Sequence, residues 1–427
     1  MKNRITLQSR ICIGLLLVWG CAAQAQVSRE QLLAHPHGTA AHYTTYPDSV
    51  PPQTPPPVGY EPFYLSHYGR HGSRYHVSES AYAQALRPLQ KAHELGLLTE
   101  LGESLRQRVA RLAADAAGRA GSLSPRGAAE HKAIAERMYR NFPAIFAAPV
   151  RIEARSTTAP RCILSMAANN ERLKELNPGL QIVRTADEGD MDFLRNTPYM
   201  LAEKKRMNPC RTEFLRGRPD PGRFMASLFR ADAGILMEAG EQYAFMNGIY
   251  AMYAIAGCAG HLGISLGDIF TPEELFTLWQ GQNILHYMQC ANSPRFGAGV
   301  LADARPLLRD IVARADSAIA GGQPAADLRF GHDIALAPLV ALIGLDGRGA
   351  ECGDPARLHE VWSDFKVMPM AANLQFVFFR SKRSDEILVK ILHNESEGRL
   401  PLDSPAFPYY RWRDVRTYLL NLLNSQS

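Results

Sequence analysis

Residues 63–74, FYLSHYGRHGSR, contain the pattern that decides the fold. Their first part, 63–67, is short and largely apolar, which is typical of a buried β-strand. The glycine-containing run 68–72 follows directly and predicts a tight loop. Because ligands bind at the carboxyl ends of strands in open α/β sheets, we expect this loop to face a binding site.

Strand and helix patterns alternate on both sides of this stretch. Apolar residues recur at helical spacing over 101–112, and Ser124-Pro125 suits a helix start. Residues 150–154 alternate as a strand, and the apolar run 245–255 predicts a buried helix because it is too short to cross a membrane. Further strand patterns lie at 328–330, 374–379 and 387–392, the last two as a hairpin.

This alternation predicts an α/β fold, namely a three-layer core with a central mixed sheet plus an inserted, mainly helical domain. The composition between 165 and 300 shifts toward Ala, Met, Phe and Tyr with few strand-like runs, which suggests the insert. We therefore divide the chain into a signal peptide (1–25), an N-terminal arm (26–60), an α/β core (61–164 and 301–427) and a helical insert (165–300). Clustered prolines at 51–57 favour an extended surface arm.

The first 25 residues have the three parts of a secretory signal. A basic start (Lys2, Arg4, Arg10) precedes an apolar stretch at 11–19 and the small-residue site Ala23-Gln24-Ala25. The apolar stretch is too short for a transmembrane helix. The alternative is a bacterial lipobox at 18–21 with a lipid anchor on Cys21, which Trp19 fits poorly. We expect a periplasmic or secreted protein, with an outer-membrane lipoprotein as the alternative.

Charge and cysteine content narrow the function classes. The net charge is +5, and three of the basic residues lie in 1–25, which leaves about +2 for the rest and argues against a nucleic-acid partner. Five of the seven cysteines follow residue 25, and none forms a CxxC pair. Two disulfides and one free thiol are permitted outside the cytoplasm, and buried free thiols are equally compatible. The cysteines concerned are Cys162, Cys210, Cys258, Cys290 and Cys352.

Three histidines in the arm, His35, His37 and His42, lie close together in sequence. No acidic or cysteine residue accompanies them, so solvated histidines are favoured over a metal site. We expect no metal and no other cofactor.

The run Arg70-His71-Gly72-Ser73-Arg74 places an imidazole between two guanidinium groups. Arginine matches phosphate oxygens with a fixed fork of donors, and a neutral imidazole can attack phosphorus. A surface loop with scattered basic residues would look similar in isolation. However, 155–161 (RSTTAPR) and 330–333 (FGHD) follow other predicted strands and add further basic groups and an acid.

In combination, these motifs resemble the histidine phosphatase superfamily, in its acid phosphatase and phytase branch. Within that branch the chain is most similar to bacterial multiple inositol polyphosphate phosphatases. The resemblance covers nearly all of the chain after the signal segment, and its order of motifs is specific. Those motifs lie at 60–64 running into 70–74, at 123–127, at 154–166, at 330–333 and from 368 to 395.

The resemblance implies a role for each motif residue. His71 matches the nucleophile, and Asp333 matches the acid that protonates the leaving oxygen. The residues matching the phosphate-binding set are Arg70, Arg74, Arg161 and His332. Arg155 is then a structural neighbour.

Two positions depart from the family pattern. Tyr75-His76 stands where the family often has a residue followed by proline, and His76 is compatible with the pocket rim, with packing or with solvent. His332-Asp333-Ile334 stands where the multiple inositol polyphosphate phosphatases commonly have His-Ala-Glu. This second difference puts the order of phosphate removal in doubt and, to a lesser degree, the substrate.

The predicted activity is hydrolysis of a small phosphomonoester, with inositol polyphosphates such as phytate favoured. One alternative is a broad acid phosphatase acting on sugar or nucleotide phosphates. Another is a non-catalytic, exported phosphate-ester-binding protein, which would not need Asp333. Basic residues of the insert could line the cleft, although a solvated surface is favoured for each one: Lys204, Lys205, Arg206, Arg211, Arg216 and Arg218.

Overall fold

A central mixed sheet organises the computed structural model, which describes residues 27–147, 149–230, 236–322 and 324–425. The predicted signal segment, with Cys21, lies outside the described residues. The strands of the sheet are β1 (Tyr60–Arg70), β2 (Arg151–Ser156), β3 (Gln181–Thr185), β4 (Ala326–Gly331), β5 (Asn373–Ser381), β6 (Ser384–His393), β7 (Ser396–Glu397) and β8 (Tyr409–Arg411). Their order is β3-β2-β4-β1-β5-β6-β7, and β8 also pairs with β6.

Helices cover much of the remaining chain. They are α1 (Arg29–Ala34), α2 (Glu79–Glu94), α3 (Glu100–Ala116), α4 (Pro125–Asn141), α5 (Pro143–Phe146), α6 (Pro160–Leu176), α7 (Met191–Leu194), α8 (Pro198–Phe214), α9 (Gly222–Leu228), α10 (Ala239–Ala256), α11 (Pro272–Cys290), α12 (Gly297–Asp303), α13 (Arg305–Ile319), α14 (Asp333–Leu342), α15 (Leu358–Val361), α16 (Asp364–Val367) and α17 (Trp412–Asn424). Short 3-10 helices lie at Pro36–Tyr43, Glu188–Asp190, Gly257–Leu262, Gly267–Ile269 and Leu345–Gly347.

Three parallel strands bring the motif loops to one edge of the sheet. β4 lies between β1 and β2 and is parallel to both. The last residue of β1, Arg70, pairs with Gly331 at the end of β4, and Ser156 pairs with Phe330. The loops that follow β1, β2 and β4 therefore emerge side by side. Antiparallel β5 begins at the same edge, since Asn373 pairs with Gly69.

Both faces of the sheet are covered, which confirms the predicted three-layer α/β core. Successive residues of β1 alternate in direction. Tyr64 packs into an apolar cluster with residues of α13, α14 and α17, and Leu65 packs into a second cluster with residues of α4 and α5. The β5–β6 hairpin is also confirmed, with Phe376 opposite Ile391.

A separate, helical cluster forms beside the sheet. It joins apolar side chains of α2, α3, α9, α10 and α11, and Trp279 is fully buried within it. The predicted buried helix at 245–255 is confirmed as part of α10. The range 165–300 is not purely helical, because β3 lies within it and pairs with β2. The segment boundaries between core and insert remain a prediction.

The N-terminal arm differs from its predicted extended conformation. Residues 29–34 are α-helical and 36–43 form a 3-10 helix, whereas 44–57, with the proline-rich 51–57, lack regular structure. The arm is held down by Tyr250 of α10, whose hydroxyl donates to the Thr39 carbonyl at 2.7 Å. Burial of Thr39 and Ala41 against the helical cluster explains why local composition misled the prediction.

All five cysteines of the described chain are free, in agreement with the second of the two expectations. Cys162, Cys258 and Cys290 are buried. Across the described ranges, no helix is both long and apolar enough to cross a bilayer.

Candidate active site

The six residues singled out from sequence converge at the carboxyl edge of the parallel strands. The rings of His71 and His332 are 5.7 Å apart between centroids and nearly perpendicular. Arg161, in the first turn of α6, places Nη2 3.4 Å from Nδ1 of His332. Arg70 forms an ion pair with Asp333, with Nη2 2.8 Å from Oδ2. The residues involved are Arg70, His71, Arg74, Arg161, His332 and Asp333.

The tautomer of His71 follows from its hydrogen bond. Its Nδ1 lies 2.9 Å from the Gly72 carbonyl oxygen, which can only accept. The proton must therefore be on Nδ1, so Nε2 keeps its lone pair. The side chain is almost completely buried at the end of β1. The imidazole thus offers a nucleophilic nitrogen in a fixed orientation.

Burial and the surrounding cations keep the site histidines neutral. Burial, followed by the charges of Arg70 and Arg74, holds the pKa of His71 well below its usual value. Burial likewise lowers the pKa of His332 to about 3, and Arg161 and Arg195 contribute. Arg195, just after α7, is a cation near the site that the sequence analysis did not select. Both imidazoles are therefore uncharged at any pH near neutrality.

Arg70 is immobilised by acceptors from distant parts of the chain. Its Nη1 donates to the carbonyls of His42, at 2.6 Å, and of Met368, at 2.5 Å. Burial raises the pKa of Asp333, but the neighbouring cations outweigh this effect and hold the pKa well below its usual value. Arg70 makes the largest contribution among these neighbours. The Asp333 carboxyl is consequently ionised.

The arm supplies a second contact to the site, which sequence patterns did not reveal. Tyr43 lies beneath Arg74, with the guanidinium carbon 5.0 Å from the ring centroid and the hydroxyl 3.4 Å from Nη1. Neighbouring His42 packs edge-on against His286 at 4.3 Å. His42 is thus the one arm histidine placed at the site. No periodicity marks this segment, so only its fold could reveal it.

Gly72 lies against Gly127 of α4, backbone to backbone. A Cβ on Gly72 would be 2.4 Å from the Gly127 oxygen, and a Cβ on Gly127 would be 2.2 Å from the Ser73 oxygen. The helix start predicted at Ser124-Pro125 is confirmed, with the Ser124 hydroxyl accepting from the Gly127 N–H. This contact explains why motif 123–127 lies against residues 70–74, which we call the catalytic loop after the role proposed for it below.

Glu130, one turn further along α4, fastens the same loop. Its carboxylate accepts from the Ser73 N–H at 2.8 Å and from the Ser73 hydroxyl at 2.7 Å. It also accepts from the Tyr46 N–H at 3.1 Å, which ties the arm to the loop. The spacing of Glu130 four residues after Arg126 indicates the ion pair that the two form along α4 at 3.4 Å, but it does not indicate the contact with Ser73.

The other residues considered from sequence lie outside this cluster of six. Arg155 forms ion pairs with Glu153 and Asp327, consistent with a structural role. His76 stacks near Tyr43, with Nδ1 3.0 Å from the Ser78 carbonyl. Of the six basic residues of the insert that were singled out from sequence, Arg211 is partly buried and donates to Asn247, whereas the other five are exposed. Among the described residues, no three His, Cys, Asp or Glu side chains are grouped as metal ligands.

This sheet with its cluster of loops has the fold of the histidine acid phosphatases and phytases, which confirms the predicted resemblance. Multiple inositol polyphosphate phosphatase 1 of Gallus gallus is 23% identical over 326 residues, covering 71% of this chain and 70% of that protein. No protein-family model matches the chain.

Two solved structures illustrate the likeness. The multiple inositol polyphosphate phosphatase of Bifidobacterium longum, in complex with phosphate, superposes with a TM-score of 0.72 at 19% identity and covers 89% of this chain and 97% of its own. The phytase of D. castellii gives a TM-score of 0.68 at 14% identity, over 94% and 87% of the two chains. At these identities, the likeness defines the fold.

Proposed function

We propose that this protein is an exported histidine acid phosphatase that hydrolyses inositol polyphosphates through a phosphohistidine on His71. The observation that carries the proposal is the neutral His71 imidazole, with its Nε2 lone pair available and cationic side chains around it. The relatives are named as inositol polyphosphate phosphatases and phytases, which supports the substrate class.

In the first step, Nε2 of His71 attacks phosphorus and the ester oxygen leaves. The charge on the transferring group is spread over its equatorial oxygens, so fixed cations stabilise the transition state. Arg70, Arg74 and Arg161 would bind these oxygens, and His332, whose Nδ1 lies 3.4 Å from Arg161 Nη2, would complete this phosphate site. The rigid anchoring of Arg70 lowers the reorganisation needed when substrate binds.

Asp333 would give its proton to the leaving oxygen, and this requires it to be protonated first. The ion pair with Arg70 keeps the carboxyl ionised. A bound phosphate brings negative charge to the same arginine, which raises the pKa of Asp333 and favours the acid form. In the second step the Asp333 carboxylate takes a proton from water as the water oxygen attacks phosphorus, which releases phosphate and restores His71.

Cations beyond the first phosphate site favour a substrate with several phosphates. Arg195 lies close enough to His332 to lower its pKa, and its side chain is exposed toward solvent. A ring carrying further phosphates would offer such a cation an additional anionic partner, which a substrate with a single phosphate lacks. Export is proposed on the sequence of residues 1–25 alone.

Product analysis tests this proposal and its alternatives. We expect stepwise phosphate release from inositol hexakisphosphate at a kcat/KM well above that for glucose 6-phosphate. Equal rates would favour the broad acid phosphatase, and release from neither would favour the binding protein. The His71→Ala variant should have no detectable turnover, whereas the exposed control His35→Ala should match the wild type. Wild-type turnover by purified His71→Ala would exclude the mechanism.

A further inference from the structure

A groove of about 720 Å³ lies outside the cluster of six catalytic-site residues and contains a second concentration of positive charge. We call it the Arg348 groove, and its lining includes Arg126, Arg348, Lys366 and His393. The segment 366–371 separates it from the catalytic loop. Lys366 and Pro369 of this segment line the groove. Ala371 of the same segment faces the catalytic loop, where its N–H donates to the His71 carbonyl.

Arg348 is an arginine whose charge is poorly compensated. Its Nε and Nη1 atoms have no hydrogen-bond acceptor within the described chain, and 15% of the side chain is exposed where it lines the groove. The nearest carboxylate oxygen, on Asp346, is 3.8 Å from Nη2. Asp346 is itself engaged, because its Oδ1 accepts from the Arg399 N–H at 2.8 Å. Buried guanidinium groups are normally paired, so this arrangement is costly without a further anion.

Lys366 adds a second cation to the same groove. Lys366 lines the groove together with Arg348, and burial, followed by repulsion from Arg348, lowers the pKa of Lys366. No carboxylate of the described residues pairs with its ammonium group. The third cation, Arg126, is already neutralised, since its Nη2 donates to Asp48 at 2.7 Å.

His393 completes the floor of the groove as a neutral group. Its Nε2 lies 2.8 Å from the Val367 carbonyl oxygen, so that nitrogen carries the proton. Burial, together with the charge of Arg348, lowers the pKa of His393 to about 3. Among the described residues, Lys366 therefore has no carboxylate partner, and Arg348 has only the long ion pair with Asp346 at 3.8 Å.

We propose that the Arg348 groove binds a dissolved phosphate oxyanion, held between Arg348 and Lys366, at a site separate from the catalytic one. Arginine and lysine are the residues that bind phosphate most strongly in proteins, the first through a fork of donors and the second as a point charge. An anion at this place supplies the missing negative charge. The site does not depend on the proposed reaction.

Calorimetric titration with inorganic phosphate tests the site without turnover. The wild type should bind two phosphates per chain. Arg74→Gln should remove the catalytic site and leave the groove site, whereas Arg348→Gln should weaken the groove site at least tenfold and leave the catalytic site. Lys366→Gln should also weaken phosphate binding at the groove and leave the catalytic site unchanged. It provides a second test if Arg348→Gln does not fold. Arg383→Gln on the β5–β6 hairpin tip is the matched control and should bind as the wild type does.

Two outcomes would overturn the proposal. The first is phosphate binding that neither Arg348→Gln nor Lys366→Gln changes in number or affinity. The second is binding of the groove to a phosphate group in a lipid headgroup, not to a dissolved anion. Flotation with phosphatidylcholine vesicles containing phosphatidic acid should show no binding. Vesicle binding that is lost in Arg348→Gln would assign the groove to a lipid instead of a dissolved anion.

Discussion

Gly72 and Gly127 approach each other more closely than any side chain would allow. The catalytic loop is pressed against the start of α4, where a Cβ on Gly72 would be 2.4 to 2.7 Å from three backbone atoms. Backbone atoms on a helix cannot turn aside as a side chain can. The orientation of the neighbouring His71 therefore depends on the absence of a side chain at two positions.

Replacement of Gly72 by alanine should separate the loop from α4. We expect Gly72→Ala to lower the free energy of unfolding by about 1–3 kcal/mol, as overpacking usually does, and to reduce kcat at least a hundredfold. The control is Gly248→Ala in α10, where a Cβ meets no atom within 4 Å. That variant should gain up to about 1 kcal/mol from helix propensity. Urea unfolding and phosphatase assays measure both, and a fully active Gly72→Ala would refute the packing argument.

At the residue scale, the sequence was informative where motifs are contiguous. His71, Arg161 and Asp333 follow strands that could be recognised locally, and the parallel order of those strands brings them together. His42 and Tyr43 could not be found in this way. Their contacts with Arg70 and Arg74 depend on how the arm crosses the helical cluster, which no local pattern records.

Among the elements, the arm shows how tertiary contacts override local composition. The clustered prolines at 51–57 suggested an extended arm, yet burial against α10 and α11 gives a 3-10 helix at 36–43. The sequence patterns did not predict β3, because this strand is little buried. It is a short edge strand whose side chains are mostly exposed, so it lacks the apolar run by which the other strands were recognised. Capping residues, by contrast, placed the start of α4 correctly at Ser124.

The contact between the arm and α10 gives a test at the scale of elements. Tyr250→Phe removes a buried hydroxyl that donates to the Thr39 carbonyl, which should cost about 1–3 kcal/mol in unfolding free energy. Because the arm holds Arg70 and Arg74, kcat/KM should also fall several-fold. Tyr243→Phe is the control, since its hydroxyl contacts the Arg218 carbonyl at the surface. A stability loss with unchanged kcat/KM would show that the arm does not position the arginines.

For the whole molecule, buried neutral histidines should set the response to acid. Burial lowers the pKa of four histidines to between about 3 and 4: His67, His131, His332 and His393. In the unfolded chain these groups regain a pKa near 6.5 and bind protons first. The unfolded state is therefore favoured as the pH falls below about 6.5, and the loss continues down to about 3.

Urea unfolding between pH 7 and pH 4.5 measures this loss. Each such histidine should contribute a slope of up to about 1.4 kcal/mol per pH unit, with stability rising as the pH rises. His131→Gln removes one titrating group. Its unfolding free energy should therefore change less steeply with pH than that of the wild type, by up to about 1.4 kcal/mol per pH unit. Parallel slopes for the two proteins would contradict the assignment.

The central claim for the whole molecule is that loops from three parallel strands aim one imidazole at one phosphorus atom. The Asp333→Asn variant isolates the intermediate that this predicts. With p-nitrophenyl phosphate the leaving group needs no acid, so His71 should still be phosphorylated. Release of phosphate needs the missing base and should be slow, so the phosphoryl enzyme should accumulate.

Peptide mass spectrometry after rapid alkaline denaturation, which preserves phosphohistidine, measures this intermediate directly. We predict close to one phosphoryl group per chain of Asp333→Asn, located on His71, and none on this peptide in the double variant that also carries His71→Ala. Continued release of p-nitrophenol with the phosphoryl group on a different residue would contradict the account.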